Sequence, residues 1–139
     1  MRNSTATAEW NGILKSGKGE MTLSTGKLPF SFSSRMEGGQ GSSPEELLAG
    51  ALAGCYSMAL SADLEKAGFA PEQVRSNAKA HFDNASGKWT VETIDLDVQA
   101  KVPGIDDTKF QEIANGTKSA CPVSRALAGV KINVNAKLA

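Results

Sequence analysis

Apolar and polar residues alternate with a period of two over the first third of the chain. Ala6, Ala8 and Trp10 share one side. Met21 and Leu23 resume the pattern after Gly17 and Gly19. Leu28, Phe30 and Phe32 then follow, with Lys27, Ser31 and Ser33 between them. Such alternation turns one face of a strand toward a core, and glycines at the breaks suit tight turns. The pattern predicts three antiparallel strands, with Arg35 at the end of the third beside the glycine-rich loop 37–42.

The period then changes. Ser43 suits an N-cap, Pro44 the first helical position, and Glu45 and Glu46 the positive end of a helix dipole. The signals predict a helix over 44–67, stopped by Gly68. Between residues 47 and 60 nearly every helix face is apolar or small. A helix apolar all round is expected to be buried on all sides. Ala49, Gly50, Ala51, Ala53 and Gly54 leave room for another backbone. One small chain has few elements to enclose such a helix, so a second copy is expected to help cover it.

Strands return after Pro71. Residues 73–82 read as one strand and 83–87 as a hairpin loop. Ile94, Leu96, Val98, Ala100 and Val102 alternate with Asp95, Asp97, Gln99 and Lys101, the clearest half-buried strand in the chain. Asp106 or Asp107 can cap a second helix carrying Phe110, Ile113 and Ala114. Cys121 and Pro122 interrupt it, and a short third helix is expected to about Leu127. Ile132, Val134, Ala136 and Leu138 make a last strand. Strands, long helix, strands, helices and strand describe an α+β fold of antiparallel sheets around a long buried helix, not a doubly wound parallel sheet.

The 139 residues fit a single domain over 1–139, large enough to bury roughly two-thirds of its extended surface. Fifteen basic residues balance 15 acidic ones. Nothing in that balance attracts nucleic acid or an anionic membrane, and neutrality is compatible with self-association. Residues 1–10 lack the apolar core of a secretory leader. Residues 47–60 are interrupted by Gly50, Gly54 and Ser57, short of the roughly 18 apolar residues of a membrane span. The expected setting is the cytoplasm, where two cysteines are thiols or a redox pair before they are a structural disulfide.

The chemistry available is narrow. Cys55 has Ala51, Leu52, Met58 and Ala59 one turn away. It reads either as a small core hydrophobe, inert because an apolar site raises a thiol pKa, or as a reactive thiol if a cation presses against it. Cys121 directly precedes an apparent helix start, which favours thiolate, though a packing role serves equally. Two cysteines and one distant histidine do not make a zinc set, so no metal is expected. No phosphate loop, Ser-His-Asp set or other cofactor motif is present. On residue type alone Arg35 is a solvated strand-end arginine, Glu45 and Glu46 are helix-start acids, and His81 is a strand histidine without a catalytic role.

Motifs sharpen this picture. SSPEELLAGALAGCYSMAL over 42–60 closely resembles the signature helix of the OsmC/Ohr family, the osmotically inducible protein C and organic hydroperoxide resistance proteins. ACPVS over 120–124 resembles the family's second cysteine motif. FSSRMEG over 32–38 and VPGI over 102–105 resemble its OsmC branch. The resemblance implies an intertwined homodimer with two active sites at the subunit interface. It implies that Cys55 is the peroxidatic cysteine and Cys121 the resolving one, that Arg35 holds the thiolate and that Glu45 orients the arginine. It further implies a hydroperoxide substrate and a thiol or dihydrolipoyl-type reductant. Many relatives carry a histidine where this chain has Leu52.

The implied activity is thiol-dependent reduction of organic hydroperoxides, and of hydrogen peroxide to a varying degree, with Leu52 and Met58 favouring apolar substrates. Rival readings are a redox sensor or binding module with little turnover, and a structural stress protein with inert thiols. Helix geometry adds a constraint. Glu45 and Cys55 are ten positions apart, about 15 Å along a straight helix. Either the helix breaks, or Glu45 or Arg35 reaches the thiols across a dimer.

Overall fold

Three of the alternating segments form an antiparallel meander in the order β1 (Thr7–Asn11), β2 (Lys18–Leu23) and β3 (Gly26–Phe30). The computed structural model describes all 139 residues and divides into two compact units, Met1–Leu47 and Leu48–Ala139. In the first, Trp10, Gly19 and Phe30 stand in register across the sheet. The Trp10 and Phe30 rings lie 5.5 Å apart at their centroids. A Cβ at Gly19 would fall 2.6 Å from both rings, so Gly19 belongs inside β2 and not in the turn. The turn lies earlier, where Gly12 takes a positive φ of 97° and the Gly17 N–H donates to the Ile13 carbonyl at 2.7 Å.

The third strand stops at Phe30. Phe32 and Arg35 lie not in that strand but in a short helix, α1 (Phe32–Met36). The cause is a reciprocal serine cap. The Ser34 N–H donates to Ser31 Oγ at 3.0 Å, and the Ser31 N–H donates to Ser34 Oγ at 2.8 Å. Serine side chains offer the backbone partners that compete with a strand ladder.

Helix α2 (Pro44–Lys66) is unbroken. It ends as its glycine foretold. Gly68 has φ +93°, its N–H donates to the Glu65 carbonyl at 3.0 Å, and the Phe69 N–H donates to the Leu64 carbonyl at 2.9 Å. These are the two bonds of a Schellman stop.

By length and hydropathy alone α2 could cross a bilayer. Two of its polar side chains bond within the second unit. Tyr56 O–H donates to the Ala114 carbonyl at 2.8 Å, and the Ser57 and Ser76 hydroxyls bond at 2.7 Å. The expectation of burial on every side does not hold for one chain. Leu52, Tyr56, Leu60 and Leu64, spaced by four, are fully buried, while Met58 is 77% exposed and Leu48, Ala51 and Gly54 face outward.

The buried stripe joins the core of the second sheet, β4 (Gln73–Asp83), β5 (Thr90–Lys101) and β6 (Lys131–Leu138). Ile94, Leu96, Val98 and Ala100 supply the β5 side of that core, as their alternation predicts. This sheet is mixed. β4 and β5 pair antiparallel, but β6 runs parallel to β5. A parallel neighbour needs a long crossover, and α3 (Asp107–Ala120) and α4 (Pro122–Ala126) provide it. Asp106 caps α3 by accepting from the Lys109 N–H at 2.8 Å.

His81 lies on the outer face of this sheet, its Nε2 2.6 Å from Asp95 Oδ2, and Asn133 Nδ2 donates to Asp95 Oδ1 at 2.9 Å. The Asn133 and His81 hydrogen bonds hold the Asp95 carboxyl below its ordinary value of 3.8. A carboxyl depressed in the folded state stabilises above its unfolded pKa and loses that contribution as pH falls through the folded value. Acid unfolding of Asp95→Asn should therefore show a shallower loss of stability below about pH 4 than the parent chain. In the core, Leu60→Ala should cost about 2–5 kcal/mol, read as a lower urea midpoint at unchanged slope.

Candidate functional site

The expected site residues form two pairs, each closed by its own contact. The first is Arg35 with Glu45. Arg35 Nε donates to Glu45 Oε1 at 3.0 Å and to Oε2 at 3.2 Å, and Nη2 donates to Oε1 at 2.6 Å. This is the forked geometry that guanidinium and carboxylate share. Glu45 is buried, while the Arg35 side chain is 40% exposed. A half-exposed pair contributes little stability, so its value lies in direction: the carboxylate fixes where the guanidinium points.

Local chemistry holds that pair in place. Ser34 Oγ donates to the Ser42 carbonyl at 2.7 Å, and the Ser42 N–H donates to the Pro29 carbonyl at 2.8 Å. Ser42 Oγ also donates to Glu46 Oε2 at 3.1 Å. Gly41, with φ +119°, permits this closure, because a Cβ there would stand 2.9 Å from the Pro29 oxygen. Thus α1, carrying Arg35, is tied to the segment that leads into α2, carrying Glu45.

The second pair is Cys55 with Cys121. Both are free thiols, and their sulfurs lie 3.0 Å apart. A disulfide needs 2.03–2.05 Å, so an approach of about 1 Å would join them. Cys55 sits midway along α2 and is partly exposed. Cys121 is fully buried at the junction of α3 and α4. Two braces set this distance. One is the Tyr56 bond to Ala114. The other is Thr117, whose hydroxyl donates to Asp63 Oδ2 at 2.6 Å while its carbonyl accepts the Cys121 N–H at 3.0 Å. The last turn of α3 is thereby fastened to α2.

The two thiols titrate in opposite directions. Burial, then the hydrogen bond with Cys121, pushes Cys55 up, against a smaller opposing contribution from the Val123 N–H. Burial also pushes Cys121 up, but its hydrogen bond with Cys55, the Ser124 N–H and hydroxyl and the Val123 N–H together outweigh burial and bring it down. Burial, followed by the charges of Cys121 and Asp63, keeps the Tyr56 phenol protonated far above its usual range, so it remains a donor to Ala114.

No cluster of three or more metal-ligating side chains is present. The serine frame around Arg35 and the Tyr56, Asp63 and Thr117 braces were not singled out from sequence. Ser-x-x-Ser at 31–34 was a readable capping signal. The braces span 54 and 58 positions and had none. On the thiol pair the expectation is direct. Oxidation with diamide should remove two hydrogens per chain and give a single Cys55–Cys121 disulfide on peptide mass mapping, without cross-linked chains on non-reducing gels.

Residues 37–135 match the family model described as OsmC-like protein. Over 123 residues, 86% of each chain, the sequence is 40% identical to Peroxiredoxin OsmC of Escherichia coli (strain K12). The fold is similar to the crystal structure of an OsmC like protein from Mycoplasma pneumoniae, with TM-score 0.75 and 17% identity over 99% of this chain and 97% of that one. It is also similar to the organic hydroperoxide resistance protein OhrB of Bacillus subtilis, with TM-score 0.70 and 23% identity over 96% and 98%.

Proposed function

This chain belongs to the OsmC-like protein family, and we propose that it is a cysteine-based peroxidase that reduces organic hydroperoxides at the expense of an external thiol. The observation that carries this reading is the 3.0 Å between two sulfurs 66 positions apart in the chain. Two core-packing cysteines have no need of such an approach. The 40% identical relative named a peroxiredoxin supports the same reading.

In the proposed cycle the Cys55 thiolate attacks the distal peroxide oxygen. The O–O bond breaks, and the alkoxide leaves and is protonated to the alcohol. Cys55 becomes a sulfenic acid. The Cys121 thiolate attacks that sulfur and displaces hydroxide, which leaves as water, and the disulfide forms. An external dithiol of the dihydrolipoyl kind returns both cysteines to the reduced state.

Burial alone would keep Cys55 protonated, so the cycle requires a cation. Arg35, aimed by Glu45, is the proposed source, and it would also stabilise charge developing in the transition state. Of the two routes that helix geometry leaves open, a break in the helix is closed, because α2 runs continuously from Pro44 to Lys66. The arginine–glutamate pair is therefore proposed to reach the thiols from a second copy. The outward apolar face of α2 at Leu48, Ala51, Gly54 and Met58 supports a homodimer of this kind, since such a face asks for cover. A Cβ at Gly50 or Gly54 would meet nothing within 4 Å, so that side is open to a close neighbour. Leu52 is enclosed in the core, so of the two apolar side chains proposed to favour organic substrates only Met58 is exposed on the single chain.

Steady-state consumption of cumene hydroperoxide with a dithiol tests this. Cys55→Ser should abolish it, and Cys121→Ala should permit one round of oxidation only. Arg35→Ala should lower kcat/KM about 10²–10³-fold, with Glu45→Gln between it and the parent. Full activity in Cys55→Ser would refute the assignment. Disulfide formation without appreciable turnover would favour the redox-sensor reading instead.

A further inference from the structure

Ser124 Oγ is a buried side-chain oxygen without a hydrogen-bond partner, and its residue is only 9% exposed. An orphaned buried hydroxyl costs free energy and calls for an explanation. This one lies three residues past Cys121, near enough to that sulfur to favour its thiolate, yet it closes no hydrogen bond while both cysteines are thiols. The same sulfur is fully buried, whereas Cys55 is partly exposed.

We infer that Ser124 is the waiting partner of the Cys121 thiolate, and that the reductant therefore opens the disulfide by attack on Cys55. This deepens the peroxidase reading and rests on its Cys55–Cys121 disulfide. Two independent features select the same sulfur. The first is access: an external thiolate must line up with the S–S bond, and only Cys55 offers a surface. The second is the leaving group: a disulfide opens faster when the displaced sulfur is the better-stabilised thiolate. Cys121 is the N-cap of α4 and Ser124 the third residue of that helix, and the Ser124 hydroxyl with the Val123 and Ser124 N–H groups favours its thiolate.

The reductant thiol gives up its proton to solvent, and its sulfur bonds to Cys55 Sγ. The Cys55–Cys121 bond breaks and its electron pair moves to Cys121 Sγ, onto which the Ser124 hydroxyl closes. The second thiol of the dithiol then attacks its partner sulfur in the mixed disulfide. That step releases Cys55 as a thiolate and leaves the reductant as a disulfide. Ser124 is thus satisfied only in the thiolate state of Cys121, and its orphaned hydroxyl belongs to the remainder of the cycle.

The test starts from full-length chain oxidised with diamide, so a chain that failed to consume peroxide would still report on this step. The disulfide is treated briefly with cysteamine, quenched in acid, alkylated and mapped by peptide mass. Cysteamine should be found on Cys55 and the alkyl group on Cys121, with a preference of about tenfold or more. Ser124→Ala should slow opening by cysteamine and pull the partition toward even, and Ser124→Thr should restore both. Cysteamine mainly on Cys121, or an even split in the parent chain, would overturn the proposal even if the alanine variant failed to fold. An unchanged partition in a folded Ser124→Ala would overturn the role of the hydroxyl.

Discussion

The fastening of the last turn of α3 to α2 sets the position on which the thiol chemistry depends. Thr117 reaches Asp63, Tyr56 reaches the Ala114 carbonyl, and the Cys121 amide hangs from Thr117. Each is a buried or part-buried hydrogen bond whose loss would leave a polar group unsatisfied. Together they hold one sulfur against another across a gap of about 1 Å beyond bonding distance. Hydrophobic burial of Leu52, Leu60, Leu64 and Phe110 provides the stability, but burial is non-directional. The hydrogen bonds convert a packed core into a defined approach.

A second consequence concerns charge. Burial alone would silence both thiols, since low dielectric disfavours thiolate. The chain answers differently at each. Around Cys121 it gathers backbone N–H groups and a serine hydroxyl. Around Cys55 the hydrogen bond with Cys121 adds to burial and only the Val123 N–H opposes it, while Arg35 stands on a serine-capped helix tied back by Ser34 and Ser42. The two sulfurs therefore differ: burial is outweighed at Cys121 and not at Cys55.

The outward face of α2 belongs to the same economy of design. A helix with Ala51, Gly54 and Met58 on its open side is poorly suited to solvent. It is well suited to close approach by another backbone, because glycine and alanine keep the surface low. The features that make α2 readable as a membrane segment by composition are those that leave an apolar face outward on the single chain.

Much of this was legible without coordinates. Alternation marked β1, β2, β3 as far as Phe30, β5 and β6, a run between Pro71 and a turn signal marked β4, a serine–proline start and a glycine stop bounded α2, and Cys121–Pro122 marked the break between α3 and α4, because these signals act over a few residues. The period-two pattern misled at Phe32, where the Ser31–Ser34 cap overrode it, and at Gly19, which the Trp10 and Phe30 rings require inside a strand. Composition could not reveal that β6 runs parallel to β5, since strand direction is set by the crossover and not by the strand. The sequence alone thus determined the α+β class and every element but α1, and its resemblance to a known family supplied the four candidate residues. Only the tertiary structure decided that the sulfurs stand 3.0 Å apart, that Arg35 and Glu45 interlock, and that Ser124 is left unpaired. Those facts depend on groups brought together across tens of positions, and spacing along a chain carries no record of them.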